Sequence, residues 1–334
     1  MLKSLSILLT LLGVTLSARP NVELVDLRAP VGDLDLPVVM WHGMGDSCCE
    51  PLRSVGALKK MIEDKLGVYV LSIATGTSEA KDVWSSYFGD VNAQAAAVCE
   101  QLRSTPELQG GYNAIGFSQG GQFMRAVIQR CQHIGPKANI LITLGSQHQG
   151  VMNAPGCEST APSSVITSVA AEQDVGSFST ACQAMQAFLA RGAYLPLVQN
   201  HVVQAQYFKD PFHMDEYLKK SIFLADLNNE HQTKSLQYKE NLLTLGKFVM
   251  YRFTADKMVV PRDSSWFSWF NGTQLVPLAE QPLYKEDWLG LKELDDSGRL
   301  VFAELEGEHM QFSFEWFQAE IIDKYLRSSS SASI

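Results

Sequence analysis

Ser118 stands between two glycines in G-F-S-Q-G (residues 116–120), inside the longer stretch GYNAIGFSQGGQF. A serine in the spacing G-x-S-x-G can act as the nucleophile of an acyl transfer when a sharp strand-to-helix turn presents its hydroxyl. The spacing alone decides little, since with glycine at about 7% of residues a chain this long matches it by chance roughly 0.1 times. The surroundings decide more. An apolar run ends at Phe117, and a helical pattern continues through Met124 and Ile128. Such a turn strains the serine backbone, so Gly116 and Gly120 are expected where a Cβ would collide. The helix N-terminus adds unpaired N–H groups that favour developing negative charge.

A serine hydroxyl becomes a good nucleophile only when an imidazole takes its proton and a carboxylate orients that imidazole. On a strand–helix sheet the chain order is serine, acid, histidine. Of seven histidines only His309, in ELEGEHMQF, comes just after an apolar run late in the chain, the one ending at Leu305. Asp256 comes three residues after the run ending at Phe253 and is favoured as the acid over Asp263 and the more distant Asp226. Two backbone donors are expected to hold the oxyanion. One is the N–H of Gln119, and the other is Met44 in the small-residue loop HGMGDSCCEP. His42, His133, His148, His201, His213 and His231 show no metal-ligand spacing, and most read as structural or exposed. No metal and no cofactor is called for.

The elements that must position these residues are visible as six short apolar runs. They are LPVVMW (36–41), VYVLSIA (68–74), YNAIGF (112–117), ANILITLG (138–145), KFVMYRF (247–253) and RLVFAEL (299–305). Several are continuous rather than alternating, as strands covered on both faces of a parallel sheet should be. Helical patterns such as VNAQAAAVCEQLR separate them, so the fold class is α/β with a mostly parallel central sheet. From about 150 to 246 the rhythm breaks, and a largely helical insertion is expected there as a lid over the carboxyl edge of the sheet.

The whole chain bounds its partners and its route. A net charge of −9 and the lack of basic runs exclude nucleic acid as a partner. Residues 1–18, with Lys3, an apolar run to Leu16 and the small residues Ser17 and Ala18, read as a secretory signal peptide. The mature domain is then 19–327, and RSSSSASI leaves a disordered tail at 328–334. Six cysteines (Cys48, Cys49, Cys99, Cys131, Cys157 and Cys182) suit three disulfides in an oxidising compartment, with the connectivity open. Asn271 in NGT is a glycosylation acceptor.

Taken together, VVMWHGMGDSCCEP, GYNAIGFSQGGQFMRAVIQRC, GSQHQGV, SIFLADLNNE and EGEHMQFSFEWF resemble the lysosomal palmitoyl-protein thioesterases of type 1. The resemblance runs from about Leu36 to Tyr325, and the adjacent cysteines after HGMGDS are its most specific mark. It implies an α/β-hydrolase that removes long-chain acyl groups from protein cysteines through Ser118, Asp256 and His309. Met44 and Gln119 would be the oxyanion donors, and Gln147 would line the acyl site. It further implies the pairings Cys48–Cys49, Cys99–Cys131 and Cys157–Cys182. S-palmitoylated proteins or peptides would be the substrates, with membrane contact only through the lipidated substrate. The destination would be the lysosome via the secretory pathway, with secretion as a further route. The chain departs from the family pattern in a longer segment between Cys157 and Cys182 and in a single glycosylation motif. A lipase or carboxylesterase would use the same triad on oxygen esters, and a binding protein on a dead hydrolase fold would be expected to have lost one of its members.

Overall fold

A computed structural model of the chain describes residues 35–52, 54–153 and 192–328. The expected leader at 1–18, the Cys157–Cys182 pair and all but the first residue of the expected tail lie outside the described residues. Six strands build one sheet: β1 (Val38–Trp41), β2 (Val70–Ser72), β3 (Tyr112–Phe117), β4 (Ala138–Leu144), β5 (Lys247–Phe253) and, later in the chain, β8 (Leu300–Leu305). Their spatial order is β2-β1-β3-β4-β5-β8, and every neighbouring pair is parallel. Between β5 and β8, β6 (Trp269–Phe270) and β7 (Leu275–Val276) form a separate antiparallel hairpin. All six sheet strands fall where the apolar runs placed them. The hairpin was not anticipated, although its loop opens with the turn-forming pair Asn271–Gly272.

Continuous apolar strands need cover on both faces, and they have it. Val39, Trp41, Ala114, Leu141, Phe248 and Met250 point to one core, which is shared with helices α3 (Val91–Ser104) and α4 (Gln119–Cys131). Their chain neighbours Val38, Met40, Ile115, Ile142 and Val249 point to a second core. Helix α1 (Ser54–Leu66) and the π-helical segment Gln318–Leu326 close it. The period of two along each strand divides the side chains between the two cores. Helix α3 starts at an N-cap, Asp90, whose side chain accepts from the Asn92 N–H at 2.8 Å. Its Val91, Ala95, Val98 and Leu102 are buried on one face, and the Cys99–Cys131 disulfide ties it to α4.

The chain leaves β1 toward β2 and returns to β3 on the other side of β1. Loops from the carboxyl ends of β1 and β3 therefore diverge and leave a crevice between them, where open α/β sheets bind ligands. Residues 192–246 supply short helices, including Pro196–Gln199, Val203–Gln206, Met214–Lys220 and Leu236–Leu243. Helices of four residues have no stability of their own. Side-chain amides hold them instead: Gln199 Nε2 donates to the Ala193 and Ala205 carbonyls at 2.7 and 2.8 Å. Gln206 bridges to the start of α3, accepting from the Val91 N–H at 2.8 Å.

Candidate active site

Ser118 closes β3 and caps α4 with φ 52° and ψ −126°, a left-handed backbone that costs an L-residue energy. The tight turn is held by glycines. A Cβ on Gly120 would lie 2.3 Å from the Trp41 carbonyl oxygen, and one on Gly116 would lie 2.1 Å from Gly121 Cα. The strain turns the hydroxyl away from the strand and toward His309. The His309 Nε2 accepts from Ser118 Oγ at 2.9 Å, and its Nδ1–H donates to Asp256 Oδ2 at 2.6 Å. Asp256 is fixed in turn, because its Oδ1 accepts from the Met258 and Val259 amides at 2.8 and 3.0 Å.

The rival acids are engaged elsewhere. Asp263 pairs with Arg252, and Asp226 pairs with Arg130 at 2.8 Å while accepting from Tyr238 Oη at 2.8 Å. The order serine, acid, histidine thus maps onto the exits of β3, β5 and β8. Parallel strands place all three exits on one edge of the sheet.

A groove of about 300 Å³ opens at Ser118. Its apolar wall includes Val55 and Leu58 from α1, Phe117, Val259, Phe312 and Phe314. Met44, Gln147 and His309 also line it. Among the described residues neither the Met44 amide nor the Gln119 amide has a hydrogen-bond acceptor, and Gln119 is the first residue of α4. Two free N–H groups beside a nucleophile, one of them at a helix N-terminus, can stabilise an oxyanion. The Gln119 side chain is buried and locked, donating to the Ser86 carbonyl and accepting from Tyr207 Oη, both at 3.0 Å.

Beneath the β1 loop lies a second histidine–aspartate pair that sequence reading missed. His42 Nε2 is 3.1 Å from Asp82 Oδ2, and both side chains are sealed from solvent. Asp82 belongs to helix α2 (Glu79–Ser85), a segment that the sequence analysis did not single out. Burial opposes the imidazolium, yet the Asp82 contact and charge outweigh it and hold the His42 pKa above its ordinary 6.5. Asp82 also works against burial. The close His42 contact and its charge, with the Cys48 and Thr75 amides, bring the carboxylate down to about 2. The local signal was a carboxylate and a serine four residues apart, Asp82 in the helix that follows β2 and Ser86 at its C-cap.

Of the remaining histidines, His148 is buried and the other four (His133, His201, His213 and His231) are exposed. The structure contains the disulfides Cys48–Cys49 and Cys99–Cys131. Asn271 sits at the surface turn of the β6–β7 hairpin, its Oδ1 accepting from the Thr273 and Gln274 amides at 3.0 and 2.9 Å. No group of His, Cys, Asp and Glu among the described residues is arranged to hold a metal ion.

Comparison with known proteins finds relatives for the chain as a whole. The model of the palmitoyl protein thioesterase family matches residues 37–309. Palmitoyl-protein thioesterase 1 of Caenorhabditis elegans is 45% identical over 294 residues, covering 87% of this chain and 91% of that protein. Palmitoyl-protein thioesterase 3 of Dictyostelium discoideum is 34% identical, covering 84% and 87%. The lysosomal thioesterase PPT2 of Mus musculus is 26% identical, covering 81% and 80%.

Proposed function

The chain belongs to the palmitoyl protein thioesterase family, and from that premise we propose that Ser118, His309 and Asp256 carry its thioester hydrolysis through an acyl-enzyme. The enzyme hydrolyses palmitoyl thioesters, and its substrates are lipidated proteins. The observation that supports the residue roles is the unbroken hydrogen-bonded chain from Asp256 through His309 to Ser118 at the head of an apolar groove.

The cycle has two halves. In the first, His309 takes the Ser118 proton as Oγ attacks the thioester carbonyl, and the Met44 and Gln119 amides hold the oxyanion. The cysteine sulfur leaves with the proton that His309 returns. A thiol has a pKa near 8.5, so this departure demands less of the acid than expulsion of an alcohol would. In the second half, water activated by His309 attacks the acyl-serine and releases the fatty acid. Burial of the chain along Leu58, Phe117 and Phe312 is worth about 0.8 kcal/mol per CH₂ and favours long acyl groups. The Gln147 wall is assigned to the acyl site on the same ground.

Delivery through the secretory pathway to the lysosome is part of the same reading. It is supported by the leader-like residues 1–18, the two disulfides, the Asn271 motif and the lysosomal name of the mouse relative. Among the described residues no helix is long and apolar enough to cross a membrane.

The test is hydrolysis of a palmitoylated cysteine peptide beside its matched serine ester, by wild type and by Ser118→Ala. Thioester cleavage that is lost in the variant is the expected result. Preference for the oxygen ester would turn the reading to a lipase, and full activity in Ser118→Ala would end the role given to the serine.

A further inference from the structure

The oxyanion donors are backbone groups, and something must hold their loop to within a fraction of an ångström. Helix α2 and its cap do this from below. Asp82 Oδ2 accepts from the Cys48 N–H at 2.9 Å and contacts His42 Nε2 at 3.1 Å. Its Oδ1 accepts from the Thr75 N–H, the Thr75 hydroxyl and the Gly76 N–H at 2.6, 3.0 and 3.1 Å. One carboxylate therefore pins both the loop after β1 and the loop after β2.

Four residues on, Ser86 Oγ accepts from the Gly45 N–H at 2.8 Å, immediately beyond Met44. The Ser86 carbonyl accepts from Gln119 Nε2 and from Gln204 Nε2 of the short helix Val203–Gln206, both at 3.0 Å. Helix α2 and its cap thus hold Gly45, the residue next to one proposed donor, Gln119, which bears the other, and Gln204 of the segment 192–246. His42 completes the support, with its Nδ1–H donating to the Gly43 carbonyl at 2.9 Å.

We propose that Asp82 and Ser86 are positioning residues for the oxyanion loop, with the His42 imidazolium as the buried counter-charge that keeps Asp82 in place. The proposal rests on the catalytic roles assigned above. Neither residue lines the acyl groove, so they act through Met44 and Gln119 rather than on the substrate. The charged groups acting on His42 are Asp82 from α2 and Asp46 from its own loop, and both favour the imidazolium. Positioning is therefore intact while His42 is protonated, and it relaxes as the pH rises through the raised His42 pKa.

The experiment compares the full-length enzyme with Asp82→Asn, Ser86→Ala and Ser118→Ala, measuring kcat and KM for a palmitoyl-cysteine peptide across pH. Asp82→Asn keeps acceptors for Thr75 and Gly76 but removes the charge. It should lose about 10- to 100-fold in kcat with KM little changed, as expected when oxyanion donors are displaced. Its alkaline limb should move to lower pH, because His42 no longer faces a carboxylate. Ser86→Ala should lose several-fold in kcat without that shift.

A purely structural role would lower the amount of folded enzyme and leave kcat per active site and the pH limb untouched. That outcome would overturn the proposal. If Asp82→Asn does not fold, Ser86→Ala decides alone, and wild-type kcat in a folded Ser86→Ala overturns it. Activity surviving in Ser118→Ala would instead strike the catalytic assignment. A dead Ser118→Ala beside a fully active Asp82→Asn would strike only this inference.

Discussion

Two histidine–aspartate pairs flank Ser118, the proposed nucleophile, and differ in access. His309 and Asp256 meet at the mouth of the groove, where the imidazole is 11% exposed and its second nitrogen reaches Ser118. His42 and Asp82 meet below the oxyanion loop at 1% and 0% exposure, and the second nitrogen of that imidazole is used on the Gly43 carbonyl. The first pair has a nitrogen free to exchange a proton with a reacting group. The second has one nitrogen on the Gly43 carbonyl and the other sealed against the carboxylate, which accepts from the Cys48, Thr75 and Gly76 amides. On the roles proposed above, the same two side chains make a proton carrier in one place and a clamp in the other. What they do is set by what the second nitrogen faces.

The largest effect that separates the two comes from neutralising each acid. Asp256→Asn retains an acceptor for Met258 and Val259 but presents the wrong partner to His309. By analogy with serine proteases its kcat should fall by about 10⁴-fold, while its unfolding free energy changes little. Asp82→Asn should invert this, with a far smaller kinetic loss and a larger loss of stability. Steady-state kinetics and urea unfolding of the same two preparations check it. Equal kinetic losses in both variants would break the distinction between carrier and clamp.

That distinction also marks how far the sequence was readable. Ser118, Asp256 and His309 each follow an apolar run that is a strand, and parallel strands bring their exits to one edge. Chain order therefore translated into geometry. The six strands were legible because burial on both faces leaves nearly unbroken apolar runs such as VVMW and YNAIGF. Asp82 lay 40 residues from His42 in EAKDVWS, where a carboxylate between lysine and valine looks solvated. Its burial depends on the loops after β1 and β2 folding over one spot, a tertiary fact with no local period. The short helices of residues 192–246 were not legible one by one, for a related reason. Gln199 and Gln206 hold them, and an amide's partners cannot be read from spacing.

The next effect is smaller and depends on pH. Asp82 is held at about 2 against an ordinary 3.8, so its contribution is present above pH 4 and lost as the pH falls toward 2. His42 is raised above 6.5, so its contribution is present below that value and lost as the pH rises through the raised pKa. The pair therefore stabilises the fold most between about pH 4 and 6.5, and the Asp82 part is on the order of 2 kcal/mol. Urea unfolding across pH 2–7 should show Asp82→Asn with a shallower acid-side decline than wild type. Parallel curves would mean that the pair does not carry charge.

The smallest effect is an absence of change, and it sharpens the comparison by adding a third histidine. His148 is as buried as His42 but has no carboxylate. Burial and then the nearby Arg125 charge push its pKa well below 6.5. The ring stacks on Phe267 with centroids 4.8 Å apart, and its Nε2 shares a hydrogen bond with Thr143 Oγ1 at 3.1 Å. A neutral ring suits that setting, because an imidazolium would meet Arg125 in a medium that cannot screen it. Nitrogen-detected NMR of labelled histidine at pH 5 should therefore find His148 with one protonated and one bare nitrogen, and His42 with both protonated. An imidazolium signature for His148 would show that burial and Arg125 are not decisive there. It would also remove the reason for crediting Asp82 with the opposite state of His42, since the two sites differ chiefly in whether a carboxylate or a guanidinium faces the ring.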